Sequence, residues 1–276
     1  MNTMKKNPII HLLSNTFNKI LSIFNKFYYY YILGANFSYI IKKAIYNFGC
    51  IPFLGQGYYC PICEKHFRKF IEFSSSQHKF IICPRDGSRK RQRLIWLFLK
   101  KYTKLFKNSL KLLYVAPVYC FDTRFKKMKN IDYYSIDLFS SNAMYKMDLT
   151  KLKFKSKSFD AVICNHVLEH IEDDILAIKE IYRVLKIDGW ALITVPIDIG
   201  LEKTFENKKI QTAQERLLFY GQKDHLRLYG KDFRERLDIV GFNVSQINFS
   251  EKLNNQSLSQ CGLNEEEIIF YCKKNQ

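Results

Sequence analysis

The chain of 276 residues is long enough for one large hydrophobic core or two smaller ones, and its formal net charge is +18. The charge is uneven: residues 1–121 contain 20 Lys and Arg against 3 acidic residues, whereas residues 122–276 contain 24 against 23. This distribution excludes a uniformly basic protein and predicts a basic N-terminal part in front of a nearly neutral C-terminal domain.

The first predicted element is an amphipathic helix within residues 9–31, which belongs to an N-terminal helical region of residues 1–50. Its apolar positions recur at intervals of four and three residues: Leu13, Phe17, Ile20, Phe24, Phe27 and Tyr31. The uncharged run from Phe27 to Ile41 is 15 residues long, short of the about 20 that a membrane-spanning helix needs. Two interpretations stay open: a helical region packed on the protein or on a second subunit, and an interfacial helix on an anionic membrane surface.

The start of the sequence lacks the pattern of a secretory signal peptide. The apolar run after Lys5 and Lys6 is brief, and no small-residue cleavage site follows it. We therefore expect the 8 Cys residues to be free thiols in a cytoplasmic protein, with association to a membrane surface as the open alternative.

A candidate metal-binding module follows in residues 51–108. Cys60-Pro-Ile-Cys63 is separated by 19 residues from Cys83-Pro-Arg-Asp86. Two C-x-x-C turns with this spacing are typical of a zinc ribbon, in which each turn offers two ligands to a tetrahedral ion. Here Asp86 stands where the fourth Cys is expected. The candidate zinc ligands are Cys60, Cys63, Cys83 and Asp86.

Two alternatives to this ligand set remain. His66 or His78 can substitute for Asp86, because imidazole is also a zinc ligand. The module can also be a degenerate ribbon that keeps its fold without metal. A structural role is expected in either case.

A basic helix is predicted after the module, with Ser88 as its cap and an end near Lys104. Its N-terminal part carries a cluster of basic residues at Arg85, Arg89, Lys90, Arg91 and Arg93. Phosphate binding and a solvated basic face are both compatible with such a cluster. Nucleic acid is the less favoured partner, since no base-stacking motif accompanies the cluster.

The C-terminal domain is organised by a βαβ unit. The apolar run from Phe159 to Cys164 predicts a buried parallel strand. Gly189 is predicted to end the following helix, and Trp190 to Val195 to form a second buried strand. The helix is predicted from apolar residues spaced by four and three: Ile171, Ile175, Ile178, Tyr182 and Leu185. Such a unit indicates a parallel sheet.

The residues of this unit read FDAVICNHVLEHIEDDILAIKEIYRVLKIDGWALITVP. They resemble the fourth strand, the next helix and the fifth strand of class I S-adenosylmethionine-dependent methyltransferases of type 11. The resemblance implies an α/β fold in residues 109–276: a Rossmann-like, doubly wound, seven-stranded sheet whose last strand is antiparallel. This domain is expected after a small zinc-ribbon-like module and N-terminal helices. The implied reaction is methyl transfer from S-adenosylmethionine to an acceptor.

The run from Lys111 to Ala116 is expected to be the first strand of this sheet. In the family this strand ends in an acidic residue and a Gly-x-Gly turn, whereas this chain has Val115-Ala-Pro-Val-Tyr119. A group of ribbon-bearing methyltransferases that the chain resembles has Ala-Pro-Glu there, so it also lacks the glycines. The resemblance implies that Val115, Ala116 and Pro117 lie beside the cofactor.

Three further cofactor contacts are implied by the resemblance. Asp137 follows the predicted second strand, Tyr133 to Ile136, where an acidic residue accepts hydrogen bonds from the ribose hydroxyls. Asp148 matches a loop in which an Asp faces the adenine amino group. Asn165, at the end of the fourth strand, is expected to border the methionine end of the cofactor.

Two histidines are candidate catalytic residues. His166 and Glu169 follow the fourth strand, where they face the acceptor or brace the helix. His225 lies in a segment, Gln222 to Gly230, that resembles an Asp-His-x-Arg-x-Tyr-Gly motif of the ribbon-bearing group. It is a general base if the acceptor is a hydroxyl, or a structural residue braced by Asp224.

After this motif the sequence predicts a helix from Lys231 to about Val240, which Gly241 ends. Phe242 to Ile247 and Ile268 to Cys272 are expected to form the last, antiparallel hairpin. Together these features predict a methyltransferase whose acceptor, a small molecule or a glycoconjugate, is not fixed by the sequence. The oligomeric state is not fixed either. The rival hypothesis is a non-catalytic methyltransferase-fold protein that binds a partner or nucleic acid through its basic N-terminal half.

Overall fold

The computed structural model describes residues 46–48, 50–74, 79–263 and 267–275. The amphipathic helix predicted in residues 9–31 and the alternative ligand His78 lie outside these residues. The chain divides into two compact units. The first contains the residues up to Tyr102 together with two later segments, Tyr119–Arg124 and Ser250–Glu265, and the second contains the rest.

The elements of the described part are as follows, in chain order. The strands are β1 Leu54–Cys60, β2 Lys65–Phe67, β3 Ile71–Ser74, β4 Lys79–Ile82, β5 Leu110–Val115, β6 Ile131–Asp137, β7 Tyr145–Lys146, β8 Phe159–Asn165, β9 Leu185–Thr194, β10 Asn243–Asn248 and β11 Ile268–Lys273. The α-helices are α1 Lys90–Tyr102, α2 Tyr119–Phe125, α3 Asp174–Val184, α4 Ala213–Tyr220, α5 Phe233–Val240 and α6 Asn255–Gln260. None of the described helices is long and apolar enough to cross a membrane.

The first unit is built from two antiparallel hairpins, β1–β2 and β3–β4, and from α1. Helix α1 contacts β4, and α6 contacts β1. Aromatic side chains fill the space between these elements, and the rings of Trp96 and Phe121 have their centroids 5.4 Å apart. The fully buried rings of this core include Phe53, Phe67, Phe98 and Phe121. Because such rings bury large apolar areas, a small module with few strands gains a stable core.

A buried guanidinium connects separate segments of the first unit. Arg93 on α1 donates hydrogen bonds to the carbonyl oxygens of Ser88 (2.5 Å), Cys261 (2.8 Å) and Gly262 (3.3 Å). Its guanidinium carbon lies 4.4 Å from the centre of the Phe70 ring. The prediction that placed Arg93 in a basic cluster available to phosphate is therefore wrong, because its side chain is fully buried.

The basic helix itself is slightly shorter than predicted. It begins at Lys90 and ends at Tyr102, two residues before the predicted end. Ser88 does not cap it in the predicted way: it is buried, and the amide of Arg89 donates instead to Oε1 of Gln92 at 2.8 Å.

The second unit contains a sheet of seven strands in the order β10-β11-β9-β8-β5-β6-β7. Strands β5 to β9 are mutually parallel, and β11 lies between β9 and β10 and runs antiparallel to both. From β5 the chain adds β6 and β7 on one side and β8 and β9 on the other. This is the Rossmann-like, doubly wound fold that the sequence predicted, including its antiparallel last strand.

Helix α3 covers one face of this sheet, but its buried stripe is not the predicted one. Of the predicted positions only Ile178 is buried within the helix, whereas Ile175 and Tyr182 are partly exposed and Ile171 and Leu185 lie outside the helix. Asp173 caps it by accepting a hydrogen bond from the amide of Leu176 at 2.8 Å. The stripe residues Ala177, Ile178, Ile181 and Val184 are fully buried in a core shared with β8 and β9. Burial of each of these larger aliphatic side chains stabilises the fold by about 1.5–3 kcal/mol.

The predicted end of α3 is wrong. The helix ends at Val184, and β9 begins at once at Leu185. The pairing of β9 with β8 shifts register between Phe159 and Ala161, and Gly189 lies within this irregular part of the strand. A Cβ atom there would lie 2.9 Å from the carbonyl oxygen of Lys186. Gly189 therefore permits a close approach of backbones in a strand instead of ending a helix.

Replacement of Arg93 by Met should lower the free energy of unfolding of the first unit by about 3 kcal/mol. Several buried carbonyl groups lose a charged donor, and methionine supplies no replacement. The measurement is urea unfolding followed by Trp96 fluorescence in a Trp190→Phe background, because these are the 2 tryptophans of the chain. Arg91→Met on the same helix is the matched control and should change the free energy by less than about 0.5 kcal/mol. Equal effects of the two substitutions would contradict the role of Arg93.

Candidate functional site

The site predicted for the cofactor lies at the carboxyl ends of β6, β5 and β8, which are adjacent and parallel. Val115 at the end of β5 is in register with Ile136 of β6 and with Cys164 of β8. The next residues along these three strands are Ala116, Asp137 and Asn165, which therefore form a row across the edge of the sheet. In doubly wound sheets, ligands bind at this edge, where the strand order reverses.

The turn after β5 has a backbone conformation that usually requires glycine. Ala116 has a φ of 49°, in the left-handed region, and its amide donates to the carbonyl oxygen of Ile136 at 2.8 Å. Such a conformation costs an alanine about 1 kcal/mol or more. The turn therefore keeps the conformation for which glycine is typical although the sequence lacks glycine. Pro117 continues this turn and is half-buried.

Two carboxylates follow the next strands. Oδ1 of Asp137 accepts hydrogen bonds from the amides of Phe139 (2.8 Å) and Ser140 (2.6 Å). Oδ1 of Asp148 accepts both the amide and the hydroxyl hydrogen of Thr150, each at 2.8 Å. Among the described residues, Oδ2 of both groups receives no hydrogen bond from the protein. Each carboxylate is thus held in place through one oxygen, and its other oxygen is left to accept a hydrogen bond from a ligand.

The loop after β8 begins with a second strained residue. His166 has a φ of 53°, and its Nε2 lies 2.6 Å from Oε1 of Glu267. Its Nδ1 lies 3.4 Å from Oε1 of Glu169, and Asn165 accepts a hydrogen bond from Thr194 at 3.4 Å. Sequence reasoning missed Glu267, which is 101 positions from His166 and carries no motif.

The two predicted catalytic histidines are brought together by a buried carboxylate. One potential ligand atom from each of Glu169, His170 and His225 lies within 4.8 Å of the others. Glu169 and His225 are buried, with exposed fractions of 1% and 3%. Oε2 of Glu169 and Nδ1 of His225 are buried and find no hydrogen-bond partner among the residues that the structure describes. The rings of His170 and His225 meet edge to face, with centroids 4.8 Å apart.

The electrostatics of this cluster follow from its burial. Burial lowers the pKa of His225, which favours the neutral imidazole. Burial tends to raise the pKa of Glu169, but the hydrogen bond from His166 and its charge lower this pKa overall. Asp224 does not brace His225, as one interpretation of the sequence had it. Its carbonyl oxygen and its Oδ2 instead lie 3.1 and 3.3 Å from Nδ1 of His170.

The rest of the motif after β9 holds the loop after β8 in place. The NH1 group of Arg227 donates to the carbonyl oxygens of Leu168 (3.0 Å) and Ile171 (2.5 Å), and NH2 donates to that of Glu172 (2.8 Å). Nε donates to Glu206 at 2.9 Å. Arg227 therefore braces this loop, because its donors are used on backbone carbonyl groups and on Glu206.

Tyr229 continues this support. Its hydroxyl donates to Oδ2 of Asp174 at 2.7 Å, and Arg236 of α5 donates to both oxygens of that carboxylate at 2.9 Å. Asp174 is the first residue of α3, so the motif is joined to the N-terminus of that helix, where a carboxylate is favoured. Burial raises the pKa of Tyr229, so the hydroxyl stays protonated and acts as a donor.

Comparison with known proteins agrees with this geometry. Residues 104–193 match a family model described as a methyltransferase domain. This part of the chain is similar to a methyltransferase domain, and it lies in a sheet with the Rossmann-like strand order. A search of curated proteins gave no match.

Several solved structures are similar to this chain. An S-adenosylmethionine-dependent methyltransferase from Mesorhizobium loti is 13% identical, with 66% of this chain and 98% of that chain covered and a TM-score of 0.46. The YcgJ protein from Bacillus subtilis is 13% identical, with 67% and 99% covered and a TM-score of 0.46. Phosphoethanolamine N-methyltransferase 2 from Haemonchus contortus, in complex with S-adenosyl-L-methionine, is 15% identical, with 69% and 54% covered and a TM-score of 0.46. The assignment of the methyltransferase domain rests on the family model and the sheet order.

Outside the methyltransferase domain, the first unit brings together the four candidate zinc ligands. They are all buried, and one ligand atom from each lies within 4.8 Å of the others: Cys60, Cys63, Cys83 and Asp86. Sγ of Cys63 lies 3.7 Å from that of Cys83, and Sγ of Cys60 lies 3.4 Å from Oδ2 of Asp86. The exposed His66 is not part of this group and instead stacks on Tyr59. Burial and the neighbouring Cys60 raise the pKa of Asp86 to about 7.

The two turns that carry these ligands have the same backbone geometry. The amide of Glu64 donates to the carbonyl oxygen of Cys60 at 2.8 Å, and the amide of Gly87 donates to that of Cys83 at 2.9 Å. Glu64 and Gly87 have φ values of 58° and 68°. Asp86 therefore occupies in its turn the place that Cys63 occupies in the other. Three thiols and one carboxylate so arranged fit a tetrahedral zinc ion.

Replacement of Arg227 by Met should loosen the loop after β8 of the methyltransferase domain. Three backbone carbonyl groups lose their donor and Glu206 loses a partner, so we expect stability to fall by about 3 kcal/mol. Hydrogen exchange measured by mass spectrometry should increase first in residues 168–172. The control is Arg234→Met on α5, where the arginine pairs only with the surface residue Asp238. Unchanged exchange in this loop would refute the bracing role.

Proposed function

We propose that the chain binds S-adenosylmethionine at the carboxyl edge of β6, β5 and β8 and transfers its methyl group to an acceptor. The observation that carries the proposal is the row of Ala116, Asp137 and Asn165 on three adjacent strands, with a left-handed turn at its centre. S-adenosylmethionine supplies a methyl group bound to a positively charged sulfur. Such a transfer depends mainly on alignment and exclusion of water.

The cofactor contacts are assigned by the resemblance and supported by the exposed carboxylate oxygens. Oδ2 of Asp137 is available for the ribose hydroxyls, and Oδ2 of Asp148 is available for the adenine amino group. The turn of Val115, Ala116 and Pro117 leaves room for the methionine part, since alanine has a small side chain and the turn has the glycine-type conformation. These five residues and Asn165 form the proposed cofactor site.

The acceptor side is assigned to the loop after β8 and the motif after β9. His166 lies between the carboxylates of Glu169 and Glu267, which hold its ring and favour its protonated form. We place His166 and His225 on the acceptor side of the site. The acceptor is proposed to be a small molecule or a glycoconjugate, to be identified by comparing metabolites and glycoconjugates in cells with and without the gene.

The first unit is proposed to hold one structural zinc ion. The four buried ligands come from two matching turns, and burial of three thiols and a carboxylate is favourable only with a cation among them. The ion would fix β1 and the segment before α1 relative to each other. No catalytic role is assigned to it, because all four coordination positions are occupied by protein.

Asp137→Ala should weaken S-adenosylmethionine binding at least tenfold. Hydrogen bonds from ribose hydroxyls to a carboxylate are worth roughly 1.5–3 kcal/mol each. Asp137→Asn should have a smaller effect, because the amide oxygen still accepts. The measurement is calorimetry with S-adenosylmethionine and S-adenosylhomocysteine, and Asp132→Ala on the same strand is the control, since Asp132 pairs only with Lys111.

A second candidate function is partner binding without catalysis, which the absence of a glycine turn after β5 favours. The same calorimetry separates the two. If neither nucleotide binds the wild-type chain at millimolar concentration, the proposal of methyl transfer fails and the partner-binding function replaces it.

Purified protein should contain about one zinc ion per chain, as measured by plasma mass spectrometry. Cys60→Ser should lose the ion and lower the melting temperature, because the site then lacks one of its thiolates. Asp86→Cys should keep the ion and hold it more firmly against a chelator. Cys261→Ser is the matched control: this buried thiol is outside the group of four, so zinc content should not change. Wild-type protein without metal, with an unchanged melting curve, would reject the zinc site.

A further inference from the structure

The cluster after β8 contains buried polar atoms that the proposed methyl transfer does not use. Within the described part of the chain, Oε2 of Glu169 and Nδ1 of His225 are both buried and both without a hydrogen-bond partner. An unsatisfied buried polar atom costs about 1–3 kcal/mol. Two such atoms on neighbouring side chains favour a bound group between them.

We propose that Glu169, His170 and His225 bind a divalent transition-metal cation. One carboxylate and two imidazoles are a ligand set that suits first-row transition metals. One ligand atom from each of the three lies within 4.8 Å of the others. Metal–ligand bonds of about 2.1 Å place two ligand atoms at most about 4.2 Å apart, so small side-chain movements are enough to bring the cluster to bonding distances.

His170 and Glu169 also contact residues outside the cluster, and these contacts are of the kind that orients metal ligands. Nδ1 of His170 faces the carbonyl oxygen of Asp224, which can only accept, so this nitrogen carries the proton. The lone pair of the neutral ring is then on Nε2. Oε1 of Glu169 faces His166, which is held in turn by Glu267, and this leaves Oε2 for the ion. Such outer contacts are typical of bound metals.

The cluster also has a path to solvent. Glu169 and His225 are buried, whereas the side chain of His170 is 33% exposed and that of its partner Asp224 is 71% exposed. A hydrated cation can therefore reach the cluster from the side of His170. The loop that carries two of the ligands is fixed by Arg227, so the site does not have to be assembled from a flexible segment.

The three side chains leave further coordination positions open to water. If the proposed methyl transfer holds, an oxygen atom of the acceptor can take one of them, because the cluster follows the strand that borders the methionine end of the cofactor. The cation would then lower the pKa of that oxygen, and its proton would pass to water. The binding of the ion itself does not depend on methyl transfer.

The test is a titration of the full, zinc-loaded chain with Mn²⁺, followed by the loss of the free-ion signal in electron paramagnetic resonance. Mn²⁺ prefers oxygen and nitrogen to thiolate ligands, so it reports on this cluster and not on the cysteine site. We expect one Mn²⁺ per chain, and calorimetry with Co²⁺ and Zn²⁺ should give the same stoichiometry. Glu169→Gln and His225→Gln should each weaken binding at least tenfold.

The controls are Glu172→Gln, an exposed carboxylate three residues from Glu169, and His66→Asn, an exposed histidine of the first unit. Both should bind Mn²⁺ as the wild type does.

His170→Asn removes the partly exposed ligand with little risk to folding, and its circular dichroism should stay native while its affinity falls. Absence of binding of all three ions by the wild type would overturn the proposal. Equal binding by wild type and Glu169→Gln would also overturn it, because the ion would then be adventitious. Neither result bears on calorimetry with S-adenosylmethionine, so the two proposals can fail separately.

Discussion

The candidate acceptor side depends on one buried guanidinium. Arg227 donates to three backbone carbonyl groups of the loop after β8, at 2.5, 2.8 and 3.0 Å. The charge needs these partners, because a buried cation without acceptors is very costly. The loop in turn needs the arginine, because a single short 3-10 turn, Leu168–His170, is its only regular structure and leaves carbonyl groups that need a donor. Arg227 therefore fixes the position of the loop that carries Glu169. His225, which belongs to the same motif as Arg227, lies beside Glu169.

The cofactor side is built on a different principle. At the ends of β5, β6 and β8, the sheet register alone aligns Ala116, Asp137 and Asn165. Parallel pairing fixes this row whatever the side chains are, and the positive φ of Ala116 maintains the turn at the cost of some strain. The backbone thus positions the cofactor residues, whereas hydrogen bonds among side chains position the acceptor residues.

This difference explains what the sequence could predict. The continuous apolar runs of β8 and β9 indicate buried parallel strands, and the spacing of apolar residues by four and three predicted the helix between them but not which positions are buried. The grouping of the four candidate zinc ligands was also predictable, since two short turns carry all four. The sequence could not reveal that Arg93 and Arg227 are buried, because an arginine in a basic run looks the same whether its donors meet water or backbone carbonyl groups. Nor could it reveal Glu267, whose contact with His166 joins residues 101 positions apart.

The same contrast decides how far function can be inferred. In the proposed function, cofactor recognition uses a few oxygens at fixed positions of a common fold, and the class of cofactor is assigned by the resemblance. Acceptor recognition would use side chains whose partners are specific to this chain. One of them is the Glu169 carboxylate, which contacts His166 through one oxygen and leaves the other unpaired within the described residues. A fold can keep its cofactor and change its acceptor by altering such a cluster. Under this proposal, what the polar atoms around Glu169 bind is the property that limits the choice of acceptor.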